Sequence, residues 1–177
     1  KNNLGAVFGI FDGTLIPKEE RQPRPVVYYY NVDFPDDLKP SSQVIADQWS
    51  QAYKNVVGHF NPTATNALPN DGKMFYLCEN PGRPDDLGYA EGYCKEPGKV
   101  KEFGDLRYSF FNWVDNDQQT GPLGYGPSSP DPLTGEIING NANIYGGAID
   151  RYAQYVLDIT MLTTGDLTPE EVSYGTY

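Results

Sequence analysis

The stretch that decides the fold is Pro25-Val26-Val27-Tyr28-Tyr29-Tyr30-Asn31-Val32. Five consecutive residues within it are β-branched or aromatic, which is typical of a strand covered on both faces. We therefore expect an interior strand of a β-sheet at this point in the chain.

A helix is predicted to follow this strand. A turn at residues 34–40 leads to Ser41 and Ser42, either of which can cap a helix, and Gly58 is expected to end it. Apolar residues recur at helical spacing between these limits and are expected to share one face. These residues are Val44, Ile45, Trp49, Ala52, Tyr53, Val56 and Val57.

Three further strands are predicted at residues 73–78, 106–114 and 136–145, with a long turn-forming stretch at 115–132. The last strand alternates, so one of its faces is expected to pack and the other to contact water. The packed face holds Ile138, Ala142 and Ile144, and the wet face holds Asn139, Asn141 and Asn143.

A second main helix is predicted over residues 147–164, and Gly165 is expected to end it. Its expected core-facing residues are Ala148, Ile149, Tyr152, Ala153, Val156, Ile159 and Leu162. Together these elements predict an α+β fold in which a twisted mixed β-sheet is backed by two main helices.

The last residues contain the start signal of another helix. In Thr168-Pro169-Glu170-Glu171, the threonine is a candidate N-cap, the proline suits the first helical position, and Glu171 can complete a capping box. Few residues follow this signal before Tyr177, so the segment has the pattern of a truncated helix.

Cys78 and Cys94 bracket a polar loop that is rich in turn-forming residues. A disulfide between them would stabilise the fold by about 3 kcal/mol in the chain-entropy model. The alternative is two free thiols in a cytosolic protein. The bridge would place the protein outside the cytosol, because disulfides persist in oxidising compartments.

Composition excludes several classes of function. The 177 residues carry 13 Lys and Arg against 24 Asp and Glu, a net charge of −11, which repels the phosphates of nucleic acids. No apolar run approaches the roughly 20 residues that cross a bilayer, so no membrane span is predicted.

Catalytic and metal-binding residues are not expected within this chain. With His59 as the one histidine and two cysteines, no His/Cys zinc site is complete. The acidic run that starts at Asp115 places Thr120 sixth and Gly126 twelfth, which does not match a calcium-binding EF-hand loop. We expect these acids to be solvated turn residues.

Three segments carry a more specific signal: Gly104-Asp105-Leu106-Arg107-Tyr108-Ser109-Phe110-Phe111-Asn112-Trp113-Val114, Gly121-Pro122-Leu123-Gly124-Tyr125-Gly126-Pro127-Ser128 and Asp131-Pro132-Leu133-Thr134-Gly135-Glu136-Ile137-Ile138. This pattern resembles the region upstream of the catalytic helix in bacterial zinc-dependent metallopeptidases of the zincin superfamily, particularly the secreted and lipoprotein forms of myxobacteria. The resemblance covers about residues 25–165 and implies a zincin-like N-terminal subdomain.

The resemblance also implies a role for the strand at 136–145. In that family an edge strand above the cleft lies antiparallel to the peptide substrate, which makes Ile138, Asn139, Asn141 and Asn143 candidate substrate-binding residues. The zinc ligands of the family lie on a later His-Glu-x-x-His helix, which residues 1–177 do not contain. We therefore expect this chain to be inactive alone and zinc to be a cofactor only of a longer form.

These inferences divide the chain into a lead-in strand and loop at 1–24, a zincin-like α+β domain at 25–165 and a tail at 166–177. The first hypothesis is that the chain is the substrate-cleft subdomain of an exported metallopeptidase. The protein would be secreted, periplasmic or at the cell surface, where it could be a lipoprotein. Its partner would be a peptide or protein substrate, or the missing C-terminal half of the domain. The alternative is a non-catalytic extracellular binding or structural module that uses the edge strand or the acidic surface.

Overall fold

The computed structural model describes residues 23–60, 72–116 and 121–176. In these ranges the chain has an α+β fold, in which six strands form one mixed sheet. The strands are β1 (Val26–Tyr30), β2 (Phe75–Cys78), β3 (Ser109–Val114), β4 (Gly124–Tyr125), β5 (Ser128–Pro130) and β6 (Ile137–Tyr145). The helices are a 3₁₀ turn (Asp36–Leu38), α1 (Lys39–Phe60), α2 (Gly146–Thr164) and α3 (Pro169–Tyr174).

The predicted interior position of β1 is confirmed. The strand order is β2-β1-β3-β6-β4, and β1 runs parallel to both of its neighbours. Val26 is paired with Phe75 of β2, and Tyr28 is paired with Ser109 of β3. Helix α1 connects β1 to β2, as a parallel pair requires.

Strand β6 continues the parallel part of the sheet and also begins its antiparallel part. It pairs in parallel with β3 on one side, and with the short strands β4 and β5 in antiparallel orientation on the other. The residues of β4 and β5 were predicted as turn, since strands of two or three residues are too short to show a period of alternation.

One face of the sheet is covered by the segment that joins β2 to β3. The predicted disulfide between Cys78 and Cys94 is present, and both cysteines are buried. Gly88 lies against it with a φ of +83°, and a Cβ there would stand 2.5 Å from the Cys94 sulfur. The buried aromatic residues of this layer are Tyr29, Tyr76, Tyr89, Tyr108 and Phe110.

The same segment is held by two buried polar side chains. The Lys101 ammonium donates to the Tyr89 hydroxyl at 3.0 Å and to the carbonyls of Glu96 and Lys99 at 2.8 and 2.9 Å. The Asn80 amide donates to the carbonyls of Tyr30 and Lys101 and accepts from the Lys101 N–H. The segment at 79–108 is thereby attached to β1. We call it the disulfide lobe.

Helix α1 covers the other face, but only part of the predicted apolar face contributes: the Tyr53 ring stacks on that of Phe75 in β2. Its buried residues are Ser42, Ala46 and Ser50, whereas Val44, Ile45, Trp49 and Val56 are exposed. Large rings from the sheet, including Tyr30, fill the space beneath the helix, so the helix approaches through small side chains. The Ser42 hydroxyl lies 3.1 Å from that of Tyr30.

The ends of α1 also differ from the prediction. The helix begins at Lys39 instead of Ser41 or Ser42 and continues through Gly58 to Phe60. Ser42 therefore lies inside the helix, where its hydroxyl donates to the Leu38 carbonyl at 2.7 Å. The serine acts through this local bond and its contact with Tyr30, not as a cap.

The predicted core-facing stripe of α2 is confirmed at Ala148 and wrong in the middle of the helix. Only Gly146 and Ala148 of this helix are buried, whereas Tyr152, Val156 and Ile159 are more than half exposed. The helix ends at Gly165 in a left-handed conformation, as predicted. The capping box of α3 is confirmed, because Thr168 and Glu171 bond to each other's backbone N–H groups.

Two further predictions concern the start of the chain and membrane-spanning helices. Most of the predicted lead-in strand and loop at 1–24 lies outside the described residues. In the part of the chain that is described, none of the helices has both the length and the apolar character that a membrane span requires.

The packing of α1 predicts that Ala46→Leu is destabilising. Because Ala46 is 2% exposed against the sheet, a larger side chain would overpack the interface and lower the free energy of unfolding by about 1–3 kcal/mol. Val44 is 57% exposed, so the matched change Val44→Leu should alter the free energy of unfolding by less than about 0.5 kcal/mol. Urea unfolding measures the stability of both variants. A larger loss for Val44→Leu than for Ala46→Leu would contradict this packing and support the apolar face predicted from the sequence.

Candidate functional site

The asparagine row of β6 contacts the neighbouring strand. The Asn139 amide donates to the Tyr108 carbonyl, and the Asn141 side-chain oxygen accepts from the Phe110 N–H at 3.2 Å. The Asn143 oxygen accepts from the Asn112 amide at 3.1 Å. These three side chains therefore join β6 to β3.

The predicted division of β6 into a packed face and a wet face is wrong at its first residues. Asn139 is 4% exposed and Ile138 is 54% exposed. The physical reason is the bond that Asn139 makes to the Tyr108 carbonyl, which compensates for the burial of its amide. Ile138 precedes this contact, at the start of the strand.

The prediction that the strand at 136–145 is the edge of the sheet is also wrong. β6 has β3 on one side and β4 with β5 on the other, so both sides of its backbone are paired. The edge position on this side belongs to β4 and β5. A peptide that adds to this end of the sheet would therefore meet these short strands, not Ile138, Asn139, Asn141 and Asn143.

A turn at residues 131–136 produces this arrangement. The Asp131 carboxylate accepts from the N–H groups of Leu133 and Thr134 at 2.7 and 3.2 Å, and the Asp131 N–H donates to the Glu136 carbonyl at 2.8 Å. Such aspartate turns reverse the chain. The Asp-Pro-Leu-Thr-Gly-Glu motif thus folds β5 back along β6.

The geometry of β4 leaves polar backbone groups on its outer side. The Leu123 carbonyl accepts from the Tyr145 N–H at 3.0 Å, and the Pro127 carbonyl accepts from the Asn141 N–H at 2.9 Å. Since successive residues of an antiparallel strand point their N–H and C=O groups to opposite sides, those of Gly124 and Gly126 point away from β6. In the described ranges, no further strand pairs with that side.

The two outward glycines differ in how much room a side chain would have. A Cβ on Gly124 would stand 2.8 Å from the Asn143 carbonyl oxygen, closer than a side chain tolerates, whereas one on Gly126 would make an ordinary contact at 3.5 Å from the Asn141 oxygen. Tyr125 between them is 61% exposed. The result is an accessible edge with two backbone donors and two acceptors and no side chain on the outward residues. We call it the β4 edge.

The carboxyl ends of the parallel strands, where α/β sheets often bind ligands, are occupied by protein groups. The Asn31 amide accepts from the Trp113 N–H at 2.9 Å and donates to the Trp113 carbonyl at 3.3 Å, which bridges the ends of β1 and β3. The Trp113 ring N–H donates to Asp115 at 3.1 Å. These side chains connect strands and leave the β4 edge as the stronger candidate.

Groups with strongly shifted pKa values lie elsewhere, near the disulfide lobe. The Arg107 guanidinium lowers the pKa of Asp105 to about 2. The Tyr108 hydroxyl donates to Glu96, and this contact raises the pKa of Tyr108 to about 12. Each shift arises from one hydrogen-bonded neighbour, as in contacts that serve the structure.

The described residues contain no group of three or more His, Cys, Asp or Glu side chains that could hold a metal ion. His59 lies in the last turn of α1, with its ring against that of Phe60. Comparison with protein-family models, curated proteins and solved structures found no match to this chain.

The structural role of Asn139 predicts a loss of stability when its amide is removed. Asn139→Ala would leave the Tyr108 carbonyl without this donor and should lower the free energy of unfolding by about 1–3 kcal/mol. Asn116→Ala, at an exposed turn position, is the matched control and should have little effect. Equal stabilities of the two variants would show that the asparagine row is not a joint between strands.

Proposed function

We propose that this chain binds an extended peptide along the β4 edge, as the substrate-cleft subdomain of an exported zinc-dependent metallopeptidase. The observation that carries the proposal is the outward backbone of Gly124 and Gly126. An extended peptide can add to such an edge through main-chain hydrogen bonds, which give affinity without requiring a particular sequence.

The parallel part of the sheet supports this use of the edge. β6 is joined to β3 by five backbone pairs and by the asparagine row, so β4 rests on a strand that is held in one register. A preorganised edge does not have to be ordered when a peptide binds, which reduces the entropic cost of binding. The glycines allow close approach of the peptide backbone.

The peptidase part of the proposal rests on the sequence resemblance. Zinc would polarise the scissile carbonyl and activate a water molecule. The residues of this chain would bind and orient the peptide backbone, while the zinc ligands would come from a longer form. Export is supported by the disulfide, which is compatible with an oxidising compartment.

The alternative function is a non-catalytic binding module outside the cytosol. It is favoured by the same observation, because the β4 edge can pair with a peptide without a metal. The two proposals share one binding surface and differ in whether the bound peptide is cleaved.

Substitution of Gly126 tests the shared surface. Gly126→Pro removes the outward N–H and places a ring where the peptide backbone would pair, so binding of unstructured peptides should fall at least about tenfold. Gly126→Ala keeps the N–H and adds a methyl group in open contact range, so it should retain binding. Amide chemical shifts of a labelled chain, recorded during peptide titration, measure the effect. Equal binding by both variants would exclude the β4 edge.

The catalytic part is tested separately, on the gene and its full product. The peptidase proposal predicts that the reading frame continues past the Tyr177 codon into His-Glu-x-x-His and a third ligand. The full product should then cleave unfolded protein and lose this activity when zinc is chelated. A frame that stops near Tyr177 would overturn the peptidase proposal and leave the binding module.

A further inference from the structure

A cavity of about 850 Å³ lies at the other end of β6 from the β4 edge. β4 pairs with Asn143 and Ile144, whereas the cavity is formed by the first residues of β6 and by the N-terminal ends of β1 and β3. Tyr93 and Lys95 of the disulfide lobe close a further side. This site is therefore separate from the surface of the proposed function and does not depend on it.

The cavity differs in charge from the rest of the protein. Its lining contains three cations, Arg24, Lys95 and Arg107, and one carboxylate, Glu136, although the whole chain has a net charge of −11. Glu136 pairs with Arg24, and Asp105 pairs with Arg107 from outside the lining, so the local excess is the charge of Lys95, and a positive excess in a concave site attracts anions. The surrounding acidic surface repels them, which makes the cavity the favoured position for a small anion.

Each of the three cations has a partner: the two arginines pair with carboxylates, and the Lys95 ammonium donates to the Gly92 carbonyl. Arg107 makes its ion pair with Asp105 through two of its nitrogens, and its guanidinium lies 5.3 Å from the centre of the Tyr108 ring. Arg24 contacts Glu136 through one nitrogen at 3.3 Å, on side chains that are 61% and 38% exposed. Such a partly exposed pair is weak, so a ligand carboxylate can compete for Arg24.

The remaining walls are apolar or aromatic. Ile137 and Ile138 begin β6 and are 52% and 54% exposed, although the residue after them is buried. Both belong to the cavity lining, together with Tyr93 and Tyr108, and as successive strand residues they point their side chains to opposite sides of β6. Exposed isoleucines beside tyrosine rings form a surface that an apolar ligand body would cover.

We propose that this cavity binds a small organic anion in which a carboxylate is attached to a flat apolar body, such as an aromatic carboxylate. The carboxylate contacts the cations, and the apolar body packs on the side chain of one isoleucine and on the tyrosine rings. Ligand pockets in proteins combine an apolar lining with a few polar groups in this way.

The test compares phenylacetate with phenylacetamide, which has the same ring and no charge, on the 177-residue chain with its disulfide formed. Amide chemical shifts of the cavity residues are followed during titration. We expect saturable shifts with phenylacetate and binding of phenylacetamide that is at least about fivefold weaker. Equal binding of the two probes, or no saturable shift with phenylacetate, would overturn the proposal.

Charge variants provide a second measurement that does not depend on a single substitution. Lys95→Gln should weaken phenylacetate binding by about two- to fivefold, and Glu136→Gln should strengthen it by a similar factor. Lys73→Gln, which removes a lysine paired with Asp47 outside the cavity, is the control and should not change it. Equal effects of Lys95→Gln and Lys73→Gln would show that only the net charge matters and would overturn the assigned site.

Discussion

The arrangement of the sheet depends on the burial of one ammonium group, that of Lys101. The side chain is 2% exposed and lies between the rings of Tyr29 and Tyr89, with its nitrogen 5.2 and 5.0 Å from their centres. Burial lowers the pKa of Lys101 because an ammonium loses its hydration there. Three oxygen acceptors offset this cost, and they do so only when the disulfide lobe has its native conformation.

This constraint explains how a long irregular segment can cover one face of the sheet. A connection of this length without regular structure is uncommon in a compact domain. Here the disulfide closes the connection, Asn80 bonds it to β1, and the Lys101 side chain occupies its interior. The Tyr29 ring is thereby covered on its own face, while α1 covers Tyr30 on the other, which is the burial on both faces that β1 requires.

The sequence predicted the elements that carry strong local signals. The β-branched and aromatic run at 25–32, the cysteine pair and the Thr168 capping box each specify their structure within a few residues. It did not predict which helix faces are buried, because that depends on what lies opposite. Tyr30 fills the space above the sheet, so Ala46 is buried and Val44 is not.

The candidate site was missed for a related reason. Alternation in the strand at 136–145 correctly placed the three asparagines on one face, but it contained no information about the partner on either side. β4 has two residues and no apolar pattern. The sequence features that indicate β4 are Gly124 and Gly126 before Pro127, together with the Asp131 turn that returns the chain to β6.

The asparagine row determines where both proposed sites lie. Asn139, Asn141 and Asn143 bond successive positions of β3, so a shift of β6 by one residue would break all three contacts. The same register sets β4 opposite Asn143 and Ile144 and leaves Ile137 and Ile138 at the cavity. Alternation alone assigns these asparagines to solvent. In the structure they fix the register of β6, and this register sets the positions of the proposed peptide edge at one end of the strand and of the proposed anion cavity at the other.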